Sequence, residues 1–147
     1  MYKIKSIYEP SEEKDGFRIL VDKSWPENLD SDGVKVDLWL KEIAPTKNID
    51  ELPEEILNPF EKFKEKYRGE LQKKKTLIAL IRKMEKEKGT VTLLYSSPDP
   101  EHNGAIVLKD KLSGYGVVRG SVGRIHGGWV IRTFLFLIFN NLVILIL

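Results

Sequence analysis

A chain of 147 residues with 24 basic and 22 acidic side chains has room for one domain with a real core, and its formal net charge of +2 creates no single-sign field pointing to nucleic acid or an acidic partner. It has no cysteine, which excludes a disulfide framework, thiolate catalysis and sulfur-bound zinc, and two histidines are too few for a multi-histidine metal centre. No cofactor and no metal are expected. The opening Met1-Tyr-Lys-Ile-Lys-Ser-Ile7 lacks the apolar stretch of a signal peptide, so a cytoplasmic location is the expectation.

Tyr2, Ile4 and Ile7 roughly alternate with Lys3 and Lys5, the pattern of a short strand with one solvated face. Phe17 to Asp22 reads as a second, mostly buried strand. Val36 to Ala44 has helical spacing and must stop before Pro45, which disfavours helix in its predecessor. Asn58 caps and Pro59 opens a clearer helix, in which Phe60, Phe63, Tyr67 and Leu71 form one apolar stripe. Leu77, Ile78, Ile81 and Met84 repeat that spacing up to Gly89, and pattern alone does not decide whether residues 69–75 divide one helix into two. Val91 to Tyr95 shows no alternation and reads as a strand covered on both faces. Asp99 as cap and Pro100 as first helical residue predict a last helix running through Leu112. The order β, β, α, α, α, β, α implies a single layered α/β domain over residues 1–112, with a small, mostly parallel sheet flanked by helices.

The composition breaks after Leu112. Arg119, Arg124 and Arg132 are the only full charges in the last 35 residues, so 21 of the 24 basic and all 22 acidic side chains lie before residue 113. Six of the eleven glycines fall between Ser113 and Gly128, and Thr133 to Leu147 is apolar apart from Thr133, Asn140 and Asn141. A membrane anchor, a buried hairpin and a replaced carboxyl terminus from an altered reading frame are the three alternatives, and the abrupt loss of Lys, Asp and Glu favours the last. A membrane partner is expected only if residues 133–147 are genuine.

Open α/β sheets hold ligands at the carboxyl ends of their strands, which directs attention to residues 95–103 and to Asp22. Asp99 as a helix cap would set His102 in the first turn, where the dipole disfavours the imidazolium and a neutral ring can serve as a base. His102 and Asp22 are the candidate acid/base groups. Lys23, Trp25, Tyr95, Asp99 and Asn103 are the candidate ligand-binding groups, for a small polar or phosphorylated, nucleotide-like molecule. Trp25 and Trp39 are flat enough to stack on a base or sugar ring. Each of these has a plainer alternative: ion pairing for Asp22, burial in the core for the two tryptophans, and a place on the solvated surface for His102 and Asn103. The basic positions from Lys73 to Lys88 suit a solvated helix face or, as the second functional alternative, a surface for nucleic acid or protein. No phosphate-loop, dinucleotide-binding, zinc-protease or serine-nucleophile motif is present.

Five stretches carry a resemblance: Ile7-Tyr-Glu-Pro10, Asp15 through Trp25-Pro26, Val36 through Pro45, Phe63 through Leu71, and Thr90-Val-Thr-Leu-Leu-Tyr95 with Glu101-His-Asn-Gly-Ala-Ile-Val-Leu108. In these the chain resembles the YeaO-like branch of the domain-of-unknown-function 488 family, over residues 1–112. The resemblance implies no activity, since none is established for that family. It implies an arginine where Lys23 stands, Arg-Gly where Glu27-Asn28 stand, and a second histidine where Gly104 stands. It also implies an end soon after Leu112.

Overall fold

The computed structural model describes residues 1–114, and the tail and its three alternatives lie outside them. Four strands, β1 (Tyr2–Ser6), β2 (Phe17–Leu20), β3 (Leu38–Trp39) and β4 (Val91–Tyr95), form one sheet in the order β1-β4-β2-β3. All three pairings are parallel, with Ile4, Leu93, Ile19 and Leu38 abreast of one another. With helices α1 (Pro59–Gln72), α2 (Lys75–Lys88) and α3 (Gly104–Leu112), this is the expected α/β class.

Side chains of a strand alternate between faces, so the register divides the sheet into two surfaces. On one, Ile19, Val91 and Leu93 pack against Phe63, Tyr67 and Leu71 of α1, Ile78 and Ile81 of α2, and Ala105 and Leu108 of α3. Each of the Val, Leu, Ile and Phe side chains among them contributes roughly 1.5–3 kcal/mol by burial. On the other, Leu20, Leu94 and Ile7 are covered by Trp25, Leu29, Val34 and Val36 from the irregular segment between β2 and β3. The helices thus gather on one face, and a loop roofs the other. Toward the amino ends of the strands that second face is ionic: Arg18, 1% exposed, pairs with Asp15 and donates from Nε to the Lys35 carbonyl at 2.7 Å. Lys5 lies 3.3 Å from the same Asp15 carboxylate. Burial pushes Asp15 upward, but hydrogen bonds from the Glu12 amide, Lys5 and Arg18 together hold it below the usual aspartate range.

The two apolar helices are separate, as the turn at Lys73 and Lys74 interrupts the ladder between Gln72 and Lys75. Gly89, at φ +81°, ends α2 as its position suggested. Gly16, at φ +64°, allows the chain to enter β2 where a Cβ would lie 2.4 Å from the Thr90 carbonyl oxygen.

Two expected helices are corrected. Residues 36–44 form β3 and the 3₁₀ turn Lys41–Ile43 instead of a helix. The reason is the buried strand beside them: the Asp37 and Leu40 amides donate to Arg18 and Leu20 carbonyls, and the Asp37 carboxylate accepts from the Arg18 amide. Those groups would otherwise be buried without partners. The last helix starts at Gly104, not at Asp99-Pro100. The Asp99 carboxylate does accept the Glu101 and His102 amides, at 2.8 and 3.0 Å, but it closes only a local turn. Asn103 is the cap of α3. The element order is therefore β, β, β, α, α, β, α.

Candidate functional site

Parallel pairing brings the carboxyl ends of β1, β2 and β4 to one edge. There Val21 donates its amide to Leu94 O and Ile7 its amide to Tyr95 O, which fixes the following residues side by side. Asp22 leaves β2 beside Ser96, which leaves β4. Asp22 Oδ2 accepts both the Ser96 amide, at 2.7 Å, and the Ser96 hydroxyl. The Trp39 indole donates to the Asp22 carbonyl at 2.8 Å, tying β3 to the same point. Burial raises the Asp22 carboxyl above the usual aspartate range, against the pull of the two Ser96 donors.

A second pair stands further along the turn. Asp99 Oδ2 lies 2.9 Å from His102 Nδ1, and that hydrogen bond, helped by the Glu101 amide, holds Asp99 below its ordinary value. The His102 ring meets Phe60 of α1 edge-on at 4.7 Å between centroids. Because α3 begins two residues later, His102 precedes the cap and does not sit in the first turn; the dipole effect expected from that placement falls away. Tyr95 is raised by burial and then by the Glu9 and Asp99 carboxylates, so it shares the edge with both.

The remaining sequence candidates divide. Asn103, 3% exposed, has both side-chain groups engaged: Oδ1 accepts the Ile106 amide at 3.2 Å and Nδ2 donates to Asp99 O at 3.0 Å. Trp25 donates to Leu29 O at 2.8 Å and packs over Leu20 and Leu94, with Trp39 against it at 5.9 Å and 71°. Lys23 is exposed. Trp39, a stacking candidate in the sequence, lies at the edge 40% exposed, and Ser96 and Phe60 belong to it although they were not singled out as ligand groups. A hydroxyl pair, Ser96-Ser97, directly after a buried strand was the available signal. Among the described residues no group of three or more His, Asp or Glu side chains gathers as metal ligands, and no helix is long and apolar enough to cross a membrane.

Comparison with known proteins places the chain. The family model described as "Inactive DUF488-N3 subclade" matches residues 1–115, and the chain belongs to that family. It is 35% identical over 112 residues to the uncharacterized protein YeaO of Escherichia coli (strain K12), covering 74% of this chain and 93% of that one. It is 30% identical over 112 residues to the uncharacterized proteins Rv3073c of Mycobacterium tuberculosis and Mb3100c of Mycobacterium bovis, covering 76% of this chain and 93% of each. No solved structure matches.

Proposed function

From that membership and this edge, we propose that the domain binds a small polar, uncharged ligand at the carboxyl ends of β2 and β4 without turning it over. The Asp22–Ser96 contact is the observation that carries the reading: a half-buried carboxylate and a hydroxyl, presented together by adjoining strand ends, are suited to grip a ligand hydroxyl or amide. The Asp99–His102 pair adds a second polar contact on the same turn. Glu9, Asp22, Asp99 and Glu101 stand at or beside the edge, against Lys23 next to Asp22 in sequence, Lys41 at 5.7 Å from the Trp39 ring and Lys64 at 4.9 Å from the Phe60 ring, so carboxylates outnumber cations there. Such a balance disfavours phosphate, so of the two ligand classes suggested by the sequence the polar one is preferred. The subclade's description as inactive accords with Asp22 and His102 acting as hydrogen-bonding groups, not proton carriers.

A panel of uncharged nucleosides and sugars, followed through backbone amide shifts, tests this. Saturable shifts centred on residues 22–25, 39–41 and 95–102, lost in Asp22→Ala and Ser96→Ala, are expected. Binders that shift other residues, or binding unaffected by both substitutions, would refute it.

A further inference from the structure

At the far end of α3 from His102, the last turn of α1, one side of α2 and the end of α3 enclose a groove of about 660 Å³. Its floor is apolar, made by Leu71, Ile78 and Ala79. Lys75, Arg82, Lys83 and Lys86 stand along α2 at helical spacing, and Lys111 faces them from α3. No acidic residue lines it. Lys75, Lys86 and Lys111 have no carboxylate partner among the described residues, and the tail contains no Asp or Glu to supply one. Lys83 reaches Glu87 only at 3.9 Å, between two exposed side chains, and Glu85 is taken by the amino terminus. Arg82 is held in place by donating to Lys111 O and Leu112 O, at 3.2 and 3.4 Å, so one cation is set between α2 and α3 before any ligand arrives.

We propose that this groove is a binding site for a small, multiply phosphorylated metabolite with an aliphatic body. Five cations, of which only Lys83 approaches a carboxylate, at 3.9 Å and in solvent, give a local positive field in a domain whose charges otherwise nearly balance, and an anionic ligand would relieve it. The volume falls within the roughly 300–1,000 Å³ of small-ligand sites. Two features argue for a small molecule over nucleic acid. Among the described residues no aromatic side chain lines the groove, so the groove itself offers unpaired bases nothing to stack on. Through residue 112 acidic side chains outnumber basic ones by one, so the domain lacks the broad basic surface that draws duplex backbones.

The test titrates the full chain with inorganic tripolyphosphate and, separately, with a short DNA duplex, by calorimetry and amide shifts. Saturable one-to-one binding of tripolyphosphate is expected, with shifts confined to the end of α1, to α2 and to the end of α3. Lys75→Gln with Lys86→Gln, both exposed positions, should weaken it by about tenfold or more while the folded spectrum persists. Asp22→Ala should leave it intact, which separates this site from the sheet edge. No saturable binding, binding indifferent to K75Q/K86Q, or tighter, steeply salt-dependent capture of the duplex would each overturn the proposal.

Discussion

Replacing Asn103 by alanine removes two hydrogen bonds from one buried side chain: the cap to the Ile106 amide and the return bond to the Asp99 carbonyl. An N-cap is worth typically about 1 kcal/mol. A buried hydrogen bond adds about 1 kcal/mol more, with the Asp99 carbonyl left to find another partner. Asn103→Ala should therefore destabilise the fold by roughly 2–3 kcal/mol; with a urea dependence of about 2 kcal/mol per molar, the midpoint falls by about 1 M at unchanged slope. Asn103→Ser keeps an acceptor for the cap and loses only the return bond, so it should recover about 1 kcal/mol of the loss. Equilibrium urea unfolding followed by circular dichroism measures both. If Asn103→Ala stays within about 0.5 kcal/mol of the parent, or serine is no better than alanine, the structural assignment of Asn103 is wrong and a ligand role returns.

Tyr67, 1% exposed, donates to the Ile43 carbonyl at 2.7 Å; Tyr67→Phe strands that acceptor and should cost about 1–2 kcal/mol in the same assay. Arg18→Met takes the guanidinium from the buried Asp15 carboxylate, which keeps Lys5 and the Glu12 amide, and should cost about 3 kcal/mol, part of it regained when Asp15→Asn is added. Asp22 titrates higher folded than unfolded, so the folded chain holds the extra proton just above the unfolded pKa of about 3.9, and stability is lost as pH rises through the raised value. Asp22→Asn cannot ionise and should gain on the parent between about pH 3.5 and pH 7, whereas a constant difference over that range would contradict the burial effect. The opposing carboxyls Asp15 and Asp99 are common to both proteins and cancel.

Strands β1, β2 and β4 and helices α1 and α2 were legible because each carries its own local pattern: alternation at Tyr2 and Ile4, a mostly apolar run without alternation at Val91 to Tyr95, and stripes at spacings of three and four in the helices. Residues 36–44 misled for the same reason. Val36, Leu40 and Ile43 fit a helical stripe, but the demand that sets their conformation comes from the edge of β2, some twenty residues earlier, and no local pattern reports it. At the start of α3 the ambiguity was chemical. Asp99 and Asn103 are both capping types and Pro100 suits a first turn, yet only Asn103 is buried where its amide can bond forward to Ile106 and back to Asp99. Of the proposed site, the strand ends were placed correctly and the pairing of Asp22 with Ser96 was not foreseen, because it depends on β4 lying directly beside β2.

That neighbourhood has a consequence in time. The two strands made first, within the opening twenty residues, do not pair with each other; both wait for Val91–Tyr95 to come between them. Until that segment leaves the ribosome, Ile4 has no partner strand and Ile19 and Leu20 have only the two-residue β3, and the nascent chain must hold apolar segments in reserve while α1 and α2 are being made. Closure over such separations is slow compared with helix formation. A chain interrupted before residue 91 would therefore lose both pairings that β4 makes, keeping at most the two-residue contact of β2 with β3, and would present those waiting segments to holding chaperones or to other unfinished copies.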